Sequence, residues 1–106
     1  MKAKSGCEVR IYMSENAQMD GLALYEALML KAREVGLSGA TLYRSPMGFG
    51  ADHELHTAKI LRLNSGLPMI LEIVDQKDSI ESFLESVSDY LKETLVTLKD
   101  VEIRQI

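Results

Sequence analysis

Residues 68–75, PMILEIVD, carry the strongest strand signal in the chain, and what stands on either side of them decides the fold. Upstream, Asn64-Ser65-Gly66 turns the chain into them. Downstream, Asp78 and Glu81 have capping-box spacing ahead of a helix expected to run to about residue 94. Ile80, Phe83, Leu84, Val87 and Leu91 form the buried stripe of that helix. Residues 101–106, VEIRQI, alternate as a closing strand, so the C-terminal half reads strand, helix, strand.

The N-terminal half repeats the pattern. Residues 7–13, CEVRIYM, alternate with period two and are rich in strand formers. Asp20 is placed to cap a helix over 20–35, and Gly36 stands where a helix ends in a left-handed residue. Leu24, Tyr25, Leu28, Ala32 and Val35 share one face of it, while Leu30 falls on the other. Residues 39–44, GATLYR, form a second strand, and 59–63 a further short one. Two crossover helices among strands at these spacings predict an α+β ferredoxin-like βαββαβ sandwich over residues 1–106, an antiparallel sheet with two helices on one face.

One face of such a sheet is bare. Alternation places Val9, Ile11, Met13, Leu71, Ile73, Val101 and Ile103 toward the helices. The other face then collects Glu8, Arg10, Tyr12, Thr41, Tyr43, Ile70, Glu72, Val74, Glu102 and Arg104. That mixture of aromatic, aliphatic and charged groups suits an interface between copies of the chain, or else an ordinary amphipathic open sheet.

With 106 residues, 46% of them apolar, there is material for one core. A net charge of -4 with scattered Lys and Arg argues against nucleic acid as the partner, because phosphate neutralisation needs clustered cations. No run of apolar residues is long enough for a membrane helix. Cys7 is the only cysteine, so no internal disulfide forms, and a cytoplasmic location is expected.

Residues 44–63, RSPMGFGADHELHTAKILRL, concentrate the remaining chemistry. Gly48-Phe49-Gly50 either brings main-chain N–H groups to an anion while Phe49 stacks on a ring, or forms a turn whose Phe49 plugs its own or a neighbouring core. Arg44, Lys59 and Arg62 flank the loop and supply charge for a phosphate or carboxylate ligand, or pair with the excess acids. His53 and His56, beside Asp52 and Glu54, offer a divalent-metal alternative if they lie on one helical turn; in extended chain they point apart. No nucleophile–base constellation is present, so no enzymatic activity is expected, and no cofactor is named by the sequence.

Several stretches resemble the domain of unknown function 190 family: 24–27 (LYEA), 32–41 (AREVGLSGAT), 47–50 (MGFG), 56–63 (HTAKILRL), Leu67-Pro68 and 72–75 (EIVD). That family is similar in fold to the nitrogen regulatory PII signalling proteins. The resemblance implies a homotrimer with sheets facing a threefold axis and a small anionic ligand, such as a nucleotide, in clefts between subunits. It places those clefts near the base of the loop over 45–58, where the loop's own residues Arg44, Gly48, Phe49, Gly50, His56, Lys59 and Arg62 are taken as the ligand-binding set. It also implies a membrane transporter or channel as the regulated partner, since some relatives are joined to, or encoded beside, fluoride channels. The glycine-rich phosphate turn of PII proteins has no counterpart in 92–100, KETLVTLKD, which contains no glycine.

Overall fold

The computed structural model describes residues 2–49, 55–57, 66–92 and 94–106, with only the backbone of His56. In chain order the elements are β1 (Lys2–Ser14), β2 (Gln18–Met19), β3 (Leu22–Ala23), α1 (Leu24–Glu34), β4 (Gly39–Arg44), β5 (Met47–Gly48), β6 (His56–Thr57), β7 (Pro68–Asp75), α2 (Lys77–Ser86), a 3₁₀ turn (Ser88–Tyr90) and β8 (Leu95–Gln105). The short strand expected over 59–63 lies outside the described residues.

Strands β4, β7, β1 and β8 form one antiparallel sheet in that spatial order, and the two helices cover one face, as predicted. Period-two alternation in β1 and β7 sends Val9, Ile11, Met13, Met69, Leu71 and Ile73 into the core. Leu24, Leu28 and Ala32 of α1, with Ile80, Phe83 and Val87 at α2, close it from above. Cys7 is buried among them as a small apolar group. Leu30 points outward, again as its helical angle requires.

Several boundaries and one face differ from expectation. Helix α1 begins at Leu24 with Ala23 as N-cap, not at Asp20. Asp20 and Gly21 instead turn the β2–β3 hairpin, both with positive φ (50° and 85°), as a two-residue turn between strands requires. At the other end Gly36 has φ 79°, the left-handed residue expected there, but Val35 already lies at the cap and is 56% exposed rather than in the stripe.

Helix α2 is capped at Gln76 with no side-chain cap, so Asp78 sits in the first turn rather than ahead of it. Asp75 organises that corner: its carboxylate accepts the N–H of Gln76 at 2.6 Å and that of Ser38 at 2.9 Å, fixing the start of α2 beside the approach to β4. The helix also ends at Ser86, well before residue 94. Ser86 Oγ donates to Phe83 O at 2.7 Å, and the N–H of Val87 is shared between Phe83 O and Leu84 O as the coil tightens into the 3₁₀ turn. The released chain starts β8 at Leu95, six residues before the predicted strand.

The longer β8 changes the face assignment. Its continuous register with β1 pairs Val9 with Leu98, Glu8 with Lys99, Gly6 with Val101 and Lys4 with Ile103. Directly opposite residues share a face, so Val101 and Ile103 lie on the open side, while Glu102 and Arg104 lie on the side of the helices. Alternation in VEIRQI fixed that the faces differ, and only the pairing fixed which was which. Ile103 drapes over Gly6, where a methyl group would overlap its Cδ1 and approach its Cγ1 to 2.6 Å.

Candidate functional site

The β4–β7 connection leaves and re-enters the sheet at one end, and the described residues there form a tight neck. Ser45 N–H donates to Pro68 O at 2.9 Å, which keeps the two limbs together just beyond Arg44. Glu15, immediately after β1, holds the returning limb twice. Its own N–H donates to Leu67 O at 2.9 Å, and its Oε1 accepts the Leu67 N–H at 3.1 Å. The other oxygen, Oε2, accepts Arg44 Nη2 at 2.7 Å. Gly66 closes against this knot: a Cβ there would overlap Ser14 Oγ and lie 2.9 Å from the Asn16 amide group.

Above the neck stands a small ribbon in which Met47 pairs with Thr57 and Gly48 with His56. Ser45 Oγ donates to Met47 O at 2.8 Å and starts it. Gly48 packs on Pro68, with 3.2 Å from a Cβ position to Pro68 Cγ, so a glycine lets the ribbon sit on the start of β7. Phe49 is 65% exposed and does not plug the chain's own core. With Met47 and Leu55, also exposed, it gives the ribbon an apolar outer surface.

Of the residues singled out from sequence, the structure thus brings Arg44, Gly48, Phe49 and the backbone of His56 to this end of the sheet. Gly50, His53, Lys59 and Arg62 lie outside the described residues, as does the side chain of His56, and with them the proposed metal pair. Among the described residues no group of three or more His, Cys, Asp and Glu is arranged to hold a metal ion. Sequence reasoning missed Glu15. Its partner Leu67 is 52 positions away, and only the adjacency of β1 and β7 brings them together.

The open face of the sheet begins at the same end. Its first cross-strand row is Tyr43, Ile70, Tyr12 and Leu95. The next rows hold a charge network that crosses all four strands. Tyr43 donates to Glu72 Oε2 at 3.3 Å, and Arg10 binds Glu72 Oε1 through Nη2 at 3.0 Å. Arg10 Nε lies 3.3 Å from Glu8 Oε1, which Lys99 Nζ approaches to 3.6 Å. The hydrogen bonds to Glu72, then to Tyr12, hold the Arg10 guanidinium even more firmly protonated than usual.

A separate groove of about 430 Å³ lies at the opposite end of β7, between the C-terminal end of α1 and α2, lined by Lys31, Leu37, Asp75, Asp78, Ser82 and Phe83. No helix among the described residues is long and apolar enough to cross a membrane.

Comparison with known proteins gives these features a family. A UPF0166 protein of Aquifex aeolicus (strain VF5) is 38% identical over 95 residues, covering 90% of this chain and 90% of that protein. A UPF0166 protein of Methanocaldococcus jannaschii is 29% identical over 96 residues, covering 90% and 88%. In three dimensions the chain is similar to CPII, a nitrogen regulatory PII-like protein from Thiomonas intermedia K12 whose structure is bound to ADP, AMP and bicarbonate. The TM-score is 0.73 at 12% identity, with 98% of this chain and 92% of that one aligned. The fold is therefore PII-like, as the sequence resemblance implied. Residues 6–103 match the model of DUF190, "Uncharacterized ACR", and the chain belongs to that family.

Proposed function

We propose that the chain is a PII-like regulatory module that binds a small anion of the nucleotide class at the neck of the β4–β7 connection. It acts by binding rather than by turnover, works as a homotrimer in the cytoplasm, and transmits occupancy to a partner such as a membrane transporter or channel through the loop over 45–58. The observation that carries this reading is the neck itself. A rigid sheet end presents the exposed cation Arg44 beneath a ribbon whose Gly48 packs on Pro68, so that an anion held there bears directly on the ribbon. CPII, with ADP, AMP and bicarbonate on the same fold, supports the ligand class.

The trimer draws support from the open face. Glu8 and Glu72 are largely shielded yet ion-paired, and they sit beside half-buried Tyr12 and Ile70. A second copy would complete the burial of such a face. The mechanism then needs only a differential affinity for two loop arrangements, a coupling of about 1–3 kcal/mol.

Calorimetric titration with ADP, AMP and bicarbonate tests it. ADP is expected to bind, and Arg44→Gln is expected to weaken it by about tenfold or more, the loss of one charge-assisted hydrogen bond. A wild-type chain that takes up none of the three removes the proposal.

A further inference from the structure

Arg44 is not free to receive a ligand. Its Nη2 already lies 2.7 Å from Glu15 Oε2, a short ion pair between a side chain 61% exposed and one 26% exposed. The two partners are held unequally. Glu15 is fixed by the Leu67 main chain in both directions, accepting one N–H through Oε1 and donating its own to Leu67 O. Arg44, among the described residues, forms its ion pair with Glu15 alone. Drawing the guanidinium toward an anion would leave the Glu15 carboxylate where it is, as a like charge beside the incoming ligand.

We propose that Glu15 is an internal competitor for the ligand's cation: its carboxylate occupies Arg44 in the empty state and sets the anion affinity of the neck. This rests on the reading of Arg44 as the ligand's cation. Glu15 is thus a positioning residue that acts through Arg44, and the same atoms tie the ligand to the loop. When Arg44 leaves Glu15, the carboxylate keeps its hold on the returning limb at Leu67 and loses its link to the outgoing limb at Arg44, so anion binding and the tie between the two limbs change together.

The amide of Glu15→Gln keeps an acceptor for the Leu67 N–H and removes the charge, which separates competition from structure. Titrated with ADP, Glu15→Gln is expected to bind about two- to fivefold more tightly than wild type, the range set by an exposed ion pair. The gain is expected to vanish in the Glu15→Gln, Arg44→Gln double variant, because the coupling runs through Arg44. Glu15→Ser, which removes the charge and the reach to Arg44 alike, gives the same gain by a second route and serves if the glutamine variant does not fold. Unchanged or weaker ADP binding in the charge-removing variants, with Arg44→Gln still impaired, overturns the competition and leaves the proposed function standing. A wild type that binds none of ADP, AMP and bicarbonate, or an Arg44→Gln variant that binds ADP as well as wild type, overturns both.

Discussion

At Tyr90 the phenol donates to Asp20 Oδ2 at 2.8 Å, joining the turn of the β2–β3 hairpin to the 3₁₀ turn after α2. That hydrogen bond, followed by partial burial and the charge of Asp20, raises the phenol above its ordinary value of 10.0. The folded state therefore favours the protonated form. Its contribution is fully present below the unfolded value and is lost as the pH climbs through the higher folded one. Tyr90→Phe is expected to melt at a lower temperature than wild type at about pH 8, and the two are expected to converge in strongly alkaline solution. Ultraviolet titration, wild type minus variant, reads the ionisation directly. A Tyr90 that ionises at or below the ordinary tyrosine value sinks this account.

Helix α1 shows how one element serves two surroundings. Leu28 is fully buried against the sheet, while Leu30, two positions on and about 200° around the axis, is exposed. The same chemical change therefore has different consequences on the two faces. Leu28→Ala is expected to lose about 2–5 kcal/mol, since it removes transferred apolar surface and leaves a cavity. Leu30→Ala is expected to fall within roughly 0.5 kcal/mol of wild type in the isolated chain. Urea denaturation of both variants measures the contrast, and equal losses would mean that α1 is rotated from the face described.

For the whole molecule, the open sheet face is where the assembly would form. Ile70 lies in its apolar row between Tyr43 and Tyr12, beside the network from Tyr43 through Glu72, Arg10 and Glu8 to Lys99. Ile70→Glu would place a further carboxylate one same-face row from Glu72 without entering the core. Native mass spectrometry is expected to give a trimer for wild type and a single chain for the variant, with circular dichroism unchanged. A wild type of single-chain mass at micromolar concentration contradicts the assembly, whatever the variant does.

The order of strands and helices, the core positions of β1 and β7, the left-handed Gly36 and the outward Leu30 all follow from periodicity and local backbone chemistry. They were therefore legible in the chain itself. So were Arg44, Gly48 and Phe49 as residues of interest, because charge and glycine spacing are local signals. The helix ends were less legible. Asp20 serves equally well as a cap and as a hairpin turn, and only the pairing of Gln18–Met19 with Leu22–Ala23 chose between them. Tertiary structure alone decided which face of β8 carries Val101 and Ile103, because alternation has two equivalent phases until β1 selects one. It alone brought Glu15 to Leu67 and Arg44, since a contact between residues far apart in sequence leaves no trace in the neighbourhood of either.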